Sequence, residues 1–369
     1  SIHRSEAARL ARQCLPKIIQ QESGRDRRES VSDTIAESLS ENNVGVKSIC
    51  RLWAGMGYIY QVTIQLSDST RYEFIVKRVI PPPQKSRSIG DERKAASYLI
   101  EAEFYKHIAP ALIEEHDLSI PIPYYVERGN GNNDRVTICM SRLNGSPGYL
   151  GDDDKIHAVL EWLATLHAAT WLRKADEYVR RGLVQPIGSY WHLDTRPDEH
   201  DSMPRRGWEG RLKLAARAID ERLRRDEMQC CIHGDAKDAN MLFENDGGSN
   251  GAVVVSMYDF QYCGKAPPSV DLAYFLCVAV GDTNNEYLKY YHQKLLQRLR
   301  QSDQQCPTLE DLEDSVSLAL CDFQRFMSGW GQWGSDISST VVEVLDRLDG
   351  GTILASEDAY REAMIREFG

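Results

Sequence analysis

The sequence predicts an α+β protein with a β-rich amino-terminal part, residues 1–143, and a larger, mainly helical carboxy-terminal part, residues 144–369. Runs rich in Val, Ile, Tyr and Phe cluster before residue 143 and are separated by turn residues, as is typical of antiparallel strands. Beyond that point, apolar residues recur at helical spacing. A chain of 369 residues that is 42% hydrophobic is also long enough to bury two cores.

The amino-terminal part is predicted to hold five strands and one inserted helix. An amphipathic helix begins the chain, within residues 1–19. A proline-rich loop at 81–83 precedes the inserted helix at 92–112, whose end is marked by Pro110. The strands are predicted at residues 46–55, 58–66, 71–80, 122–129 and 136–143.

The carboxy-terminal part is predicted to surround a polar loop with helices. Two strongly amphipathic helices are expected at residues 156–175 and 211–226. The polar stretch HGDAKDAN, residues 233–240, lies between short strands, and a further strand is expected at 252–260. Four helical segments are then predicted to close the chain.

Composition excludes several classes of partner. The formal net charge of −11 disfavours nucleic acid, because contacts to a phosphate backbone need a basic surface. The start of the chain lacks a signal-peptide core, and the longest apolar run, Val270–Val280, is too short to span a bilayer. Nine cysteines without a C-x-x-C pair predict reduced thiols, not a zinc site or disulfides. We therefore expect a cytoplasmic protein with no membrane partner.

The polar loop carries the residue types that phosphoryl transfer requires. Asp235 and Asn240 lie in the loop, and Asp259 ends the apolar strand that follows. Carboxylate and amide oxygens suit Mg²⁺, and a carboxylate that binds no metal can accept a proton or orient a hydroxyl. Phosphoryl transfer depends mainly on positioning and on charge neutralisation, which this set provides. The alternative is an ordinary polar loop in which Asp235 is a turn residue.

Lys77 is a second candidate, because it interrupts the apolar third strand, FIVKRV. A buried lysine needs a partner or a ligand. Glu101, in the middle of the following helix, is the expected partner, and Glu103 is a rival on another side of that helix. The alternative is that Lys77 extends from an edge strand into solvent.

The order of these parts resembles the protein-kinase-like two-lobed fold. It is most similar to the small-molecule kinases of the aminoglycoside phosphotransferase, choline kinase and ecdysteroid-kinase-like group. That group shows H-G-D-x-x-x-x-N and then an Asp-led segment, which correspond here to HGDAKDAN and DFQ. Protein kinases have Arg at the position of Gly234 and Gly at that of Gln261. The segments SYLIEAEFY, LATLHAATW and DFQYCG are most similar to ecdysteroid-kinase-like members.

The resemblance implies an ATP- and Mg²⁺-dependent kinase, with a nucleotide-binding lobe at 1–143 and a catalytic and substrate-binding lobe at 144–369. Asp235 would be the catalytic base or hydroxyl-orienting residue. Lys237 would stabilise the transferring group, while Asn240 and Asp259 would hold the magnesium ions.

The resemblance also implies a nucleotide site in the first part. Lys77 would contact the α- and β-phosphates, held in place by Glu101. The turn that contains Gly55 and Gly57 would cover the phosphates, although an ordinary hairpin turn is the alternative. The segment Met140 to Leu143 would be the hinge whose backbone meets the adenine.

The acceptor stays open between an amino alcohol, an aminosugar and a steroid-like alcohol. Aromatic and acidic residues alternate in YWHLDTRPDEHD, residues 190–201, and Trp330 and Trp333 lie close together in the sequence. Such a mixture suits a cationic small-molecule acceptor through cation–π contacts. The alternative for both tryptophans is core or lobe packing. The sequence is compatible with a monomer or a homodimer.

Two other functions remain as alternatives, namely an atypical protein kinase and a catalytically dead kinase-fold binding protein. The Gly234 and Gln261 departures disfavour the first, and the full set of candidate side chains disfavours the second. His233 is expected to be structural, hydrogen-bonded to the loop backbone. Asp271 is expected to cap a helix or to brace the loop.

Overall fold

The chain divides into two compact units, Ser1–Asn144 and Gly145–Gly369. The first unit is built on one antiparallel sheet and the second mainly on helices, so the predicted α+β class and its order of parts are confirmed. The computed structural model describes residues 2–23, 34–129, 134–245, 252–301, 304 and 306–369.

A five-stranded antiparallel sheet forms the centre of the first unit. Its strand order is β1-β2-β3-β5-β4. The third strand therefore lies inside the sheet, and Lys77 pairs with Ile59 on one side and with Ile138 on the other. The prediction that Lys77 could extend from an edge strand is wrong for this reason. The strands are β1 Val44–Arg51, β2 Gly57–Gln65, β3 Arg71–Val79, β4 Pro123–Arg128 and β5 Val136–Met140.

The α-helices that accompany this sheet include α1 Arg4–Ser23, α2 Ile89–His107 and α3 Ala109–His116. Helix α1 contributes its apolar face to the core that lies against β1 and β4. The prediction of one continuous helix over 92–112 is wrong. The chain breaks at Ile108, and Pro110 lies in the first turn of α3, where its missing N–H removes no helical hydrogen bond.

The second unit contains most of the helices. The predicted helix over 156–175 is shorter, because Thr170 ends α4 and Leu172 adopts a positive φ of 48°, with its N–H bonded to the Gln229 carbonyl. The helices before the short strands are α4 Asp153–Ala169, α5 Arg173–Arg180, α6 Pro197–Ser202 and α7 Gly207–Arg224.

Four short strands form two antiparallel pairs in this unit, β6 Cys230–Ile232 with β9 Gly264–Ala266, and β7 Met241–Asn245 with β8 Val253–Met257. The polar loop connects β6 to β7. The strand predicted at 252–260 ends at Met257, which leaves Asp259 in irregular backbone after β8.

The remaining helices close the chain. The described residues contain five such helices, whereas the sequence predicted four helical segments. A π-helical turn, Phe275–Val280, directly follows the first of the five. They are α8 Ser269–Tyr274, α9 Asn285–Gln301, α10 Leu309–Trp330, α11 Ser338–Asp349 and α12 Glu357–Phe368.

Two chain-wide observations bear on the sequence predictions. Among the described residues, no helix is both long and apolar enough to cross a bilayer. All nine cysteines are free thiols, and most of them are buried as small apolar residues.

Candidate active site

The loop between β6 and β7 places a buried carboxylate beside an amide and an ammonium group. Asn240 Nδ2 donates to Asp235 Oδ2 at 3.0 Å and to the Asp235 carbonyl at 2.9 Å. Lys237 Nζ lies 3.0 Å from the same Oδ2 atom. The predicted residues Asp235, Lys237 and Asn240 therefore meet, and one carboxylate oxygen takes both contacts.

The other carboxylate oxygen of Asp235 has a different environment. Oδ1 is buried and accepts no hydrogen bond from the described residues. Burial raises the pKa of Asp235 above its usual value, and the charge of Asp259 raises it further, while Lys237 lowers it. The carboxyl group is thus held toward higher basicity, and the Tyr274 hydroxyl is a neighbouring group of the chain that interacts with it.

Asp259 follows β8 in a backbone conformation that is rare for residues other than glycine. Its φ is +70°, and its side chain is only partly buried. The negative charge of Asp259 is one cause of the raised pKa of Asp235, so the two carboxylates interact electrostatically within the second unit. The two aspartates therefore lie within electrostatic range of each other.

Asn240 and Asp259 fit a hard divalent cation. Because Nδ2 of Asn240 is used toward Asp235, its Oδ1 is the amide atom that can serve as a ligand. In the part of the chain that the structure describes, no group of three or more His, Cys, Asp or Glu side chains could hold a metal ion. Mg²⁺ commonly needs only one or two protein oxygens, since substrate phosphates and water complete its coordination.

Asp271, in the first turn of α8, braces the loop. Its carboxylate accepts from the His233 N–H at 2.7 Å and from the Gly234 N–H at 2.9 Å. The ring of His167 contacts the same carboxylate at 3.2 Å. The predicted bracing role is confirmed, and charge-assisted bonds of this kind fix the backbone immediately before Asp235.

His233 is structural, as predicted. Its Nδ1 accepts from the Asp235 N–H at 3.3 Å, so Nε2 carries the proton and donates to the Tyr258 carbonyl at 3.0 Å. Gly234 has φ +79°, and a Cβ there would meet the Tyr262 carbonyl oxygen at 2.2 Å. Protein kinases have Arg at this position. Here the close approach of residue 262 requires glycine.

An aromatic cluster lies next to the polar loop between β6 and β7. The Tyr190 and Tyr274 hydroxyl groups are 3.1 Å apart, and the charge of Asp235 contributes to the raised pKa of both, although burial is the larger cause. The ideal Cβ position at Gly234 is 3.0 Å from the Ser189 nitrogen, which places residue 190 beside the loop. We call the rings of Tyr190, Tyr274, Phe326 and Trp330 the aromatic cluster.

The two tryptophans differ. Trp333 packs edge-on against Phe323 and Phe326, as the packing alternative predicted. Trp330 is 63% exposed and stacks on Phe326, so core packing is wrong for it. The guanidinium of Arg196 lies over the Trp330 ring at 5.7 Å. Sequence reasoning did not single out Arg196 or Tyr274, because residues 190, 274 and 326 meet only in the folded chain.

In the first unit, Lys77 and Glu101 form a buried ion pair. Lys77 Nζ is 2.8 Å from Glu101 Oε1 and 2.7 Å from Oε2, and it lies 5.2 Å from the centre of the Tyr98 ring. Glu103 instead bonds Arg128, so Glu101 is the partner. Both expected residues are thus brought together, on β3 and α2.

The predicted glycine turn has two glycines with positive φ. Gly55 has φ +71° and Gly57 has φ +150°. A Cβ at Gly57 would lie 2.0 Å from the Arg78 carbonyl oxygen on β3. The expected hinge, Met140 to Leu143, begins at the last residue of β5, and Met140 pairs with Ile75.

Comparison with known proteins gives one family match. The model of a family described as "Phosphotransferase enzyme family" matches residues 57–306, more than half of the chain. A comparison with curated proteins gave no match.

Several solved structures are similar at low identity. A choline kinase from Cryptosporidium parvum is 11% identical, with 90% of this chain and 93% of that chain covered and a TM-score of 0.49. An ethanolamine kinase from Plasmodium vivax is 11% identical, with 94% and 95% covered and a TM-score of 0.48. The GDP and kanamycin complex of APH(2")-IIia is 14% identical, with 95% and 96% covered and a TM-score of 0.47.

Proposed function

Because the chain belongs to the phosphotransferase enzyme family, we propose that it transfers the γ-phosphoryl group of ATP, with Mg²⁺, to a hydroxyl group of a small molecule. The observation that carries this proposal is the loop arrangement in which buried Asp235 contacts both Lys237 and Asn240. The acceptor itself is not identified by family membership.

Asp235 is the residue that receives the acceptor hydroxyl. Its Oδ1 accepts no hydrogen bond in the geometry of the described residues, although the Tyr274 hydroxyl interacts with the carboxylate, and a hydroxyl of the acceptor would satisfy it. Burial raises its pKa, which makes it a better proton acceptor than an exposed aspartate. The brace from Asp271 keeps this oxygen in position during transfer.

Two lysines supply positive charge for the phosphates. The side chain of Lys237 is 34% exposed and reaches Asp235 from the loop, so it can also contact the transferring group. Lys77 is oriented by Glu101 toward the phosphates that stay on the nucleotide. Fixed cations of this kind stabilise charge that spreads over phosphate oxygens in the transition state.

Asn240 and Asp259 would hold Mg²⁺, which would supply positive charge to neutralise the phosphates. The amide Oδ1 of Asn240 and the partly buried carboxylate of Asp259 provide the hard oxygen ligands that the ion prefers. The hydrogen bonds from Nδ2 to Asp235 orient that amide in advance.

The first unit is proposed as the nucleotide-binding lobe and the second as the catalytic and substrate-binding lobe. The turn of Gly55 and Gly57 would cover the phosphates with backbone N–H groups, and Met140 to Leu143 would meet the adenine. The subgroup suggested by the sequence, ecdysteroid-kinase-like, is part of this proposal, and it rests only on the quoted segments.

A metabolite-library screen for Mg²⁺-dependent ATP consumption tests the function. Active acceptors should carry a hydroxyl group, and the product should be the phosphate monoester by mass spectrometry.

Asp235→Asn should lower kcat by about 10²–10⁴-fold with little change in the KM for ATP, since it removes the proton acceptor and keeps the shape of the side chain. Activity should also disappear when Mg²⁺ is removed with EDTA.

The two alternatives give different results in the same screen. Phosphorylation of generic protein substrates, with no small-molecule acceptor found, would favour an atypical protein kinase. A dead kinase-fold binding protein would show ATP protection in a melting assay but no slow ATP hydrolysis. An Asp235→Asn protein that keeps full activity would contradict the proposed site.

A further inference from the structure

The aromatic cluster beside Asp235 already holds a cation of the protein. The Arg196 guanidinium carbon lies 5.8 Å from the Tyr190 ring centre, 5.3 Å from that of Phe326 and 5.7 Å from that of Trp330. These are the distances at which cation–π attraction operates. A cationic acceptor that used the same rings would therefore have to compete with a fixed guanidinium.

Two contacts fix this guanidinium. Arg196 Nε donates to the Tyr190 carbonyl at 2.8 Å, and Nη1 lies 3.3 Å from Glu199 Oε1. Helix α10 approaches closely here, because a Cβ at Gly329 would lie 1.9 Å from the Glu199 carbonyl oxygen. The side chain is therefore anchored both to the segment that carries Tyr190 and to the start of α6.

One part of the guanidinium remains for a ligand. Nη2 makes no hydrogen bond to any residue that the structure describes, and the side chain of Arg196 is 20% exposed. An unfilled N–H group on an anchored guanidinium is suited to an oxygen acceptor, since arginine donates readily to carbonyl and carboxylate oxygens.

We propose that Arg196 determines acceptor specificity by selecting hydroxyl compounds that carry a carbonyl or carboxylate oxygen and by rejecting those that carry an ammonium group. This inference rests on the proposed function, because it describes the acceptor side of the same site. The apolar body of the acceptor would lie against Tyr190 and Trp330, the two rings of the aromatic cluster that are not fully buried, with its oxygen on Nη2 and its hydroxyl toward Asp235. This acceptor class differs from the cationic acceptor that the sequence analysis considered.

Three probes with one skeleton separate the possibilities: para-(hydroxymethyl)benzoate, para-(hydroxymethyl)benzamide and para-(aminomethyl)benzyl alcohol. Transfer from ATP and Mg²⁺ is measured for each, and binding of each is measured by calorimetry with a non-hydrolysable ATP analogue. We expect kcat/KM and affinity to be at least about tenfold higher for the two oxygen-bearing probes than for the amine. Comparison of the benzoate with the benzamide shows whether binding needs a negative charge on the acceptor or only a carbonyl oxygen.

Variants assign the preference to the guanidinium. Arg196→Met should remove the preference mainly by raising the KM and Kd of the oxygen-bearing probes about tenfold, because the N–H donors are lost and the aliphatic contact is kept. Arg196→Lys should still reject the amine, since the charge stays over the rings, but it should bind oxygen less well. Arg181→Met, which removes an exposed arginine paired only with Glu177, is the matched control and should keep the wild-type ratio.

The outcomes are distinct. Preference of the wild-type protein for the amine, an unchanged probe ratio in folded Arg196→Met, or failure of both oxygen-bearing probes to bind would each overturn the inference. If the amine is preferred while Mg²⁺-dependent ATP turnover is intact, the phosphotransferase proposal survives without it. If the wild-type protein shows no ATP turnover with any acceptor in the metabolite screen, the proposed function fails and this inference fails with it.

Discussion

Asp235 and Lys77, the residues proposed to receive the acceptor hydroxyl and to contact the phosphates, are both buried ionisable groups. Each lies inside its unit, and each is held by a polar neighbour, Asn240 for Asp235 and Glu101 for Lys77. A charge removed from water is costly unless it is paired, so neither side chain has a purely structural advantage over an apolar residue. Such residues are typical of sites where a ligand completes the pairing.

Replacing Lys77 separates its structural role from its role toward ATP. Lys77→Met should destabilise the protein by about 3–5 kcal/mol, because it leaves the Glu101 carboxylate buried without its partner. It should also raise the KM for ATP, since a phosphate contact is lost. Urea unfolding and steady-state kinetics at several ATP concentrations measure the two effects.

The double variant Lys77→Met with Glu101→Leu is the control. Removing both charges should restore most of the lost stability, because no uncompensated charge then remains in the core. The KM for ATP should stay high. Recovery of ATP binding together with stability would show that Lys77 serves the fold alone, and it would contradict the assignment to the phosphates.

The sequence could predict this pair but not the aromatic cluster. Lys77 is recognisable in the sequence because it interrupts an apolar strand. Glu101, in the middle of the following helix, is then the expected partner of its ammonium group. Arg196 and Tyr274 give no such signal, because an arginine in a polar stretch and a tyrosine in an apolar helix are ordinary locally. Their roles arise only from long-range packing of α6, α8 and α10 around the loop.

At the scale of elements, the turn between β1 and β2 depends on one glycine. Gly57→Ala should destabilise the first unit by several kcal/mol and raise the KM for ATP. Its φ of +150° disfavours any side chain, and the new Cβ would lie 2.0 Å from the Arg78 carbonyl oxygen, so the β2–β3 pairing must shift. Thermal unfolding and ATP titration report the two consequences.

Gly45→Ala on β1 is the matched control for this turn. A Cβ at Gly45 meets only the Thr63 side chain, at 3.9 Å, and its backbone is ordinary strand. We expect a neutral effect or a gain of about 0.5 kcal/mol, since the unfolded chain loses freedom. Equal effects of the two substitutions would show that the turn tolerates a side chain and that its glycine is not required.

Element types were more predictable than element ends. All five strands of the sheet follow from β-branched and aromatic runs, because neighbouring strands impose the same pattern on each other. The helix breaks at Ile108 and at Thr170–Leu172 did not follow from the sequence pattern. At the second break the Leu172 N–H leaves the helix for the Gln229 carbonyl, a partner distant in the sequence, and no local pattern signals that exchange.

At the scale of the whole molecule, two of the buried titratable groups of the second unit give pH opposite effects on stability. Asp220 and His192 line one cavity of about 150 Å³. Burial raises the pKa of Asp220 to about 6, with a further increase from Asp322, and burial lowers the pKa of His192 to about 4. Acidification therefore stabilises the fold through Asp220 and destabilises it through His192, and the two effects partly cancel between pH 4 and pH 6.

Asp220→Asn should expose the uncompensated effect of His192. The contribution of Asp220 is fully present below the unfolded pKa of about 3.8 and is lost as the pH rises through about 6. The variant lacks that gain on acidification, so its unfolding free energy should fall relative to wild type by about 2 kcal/mol from pH 7 to pH 4.5. Urea unfolding at both pH values measures it, with exposed Asp201→Asn as control. A constant difference across this range would show that Asp220 titrates alike in the folded and unfolded chain.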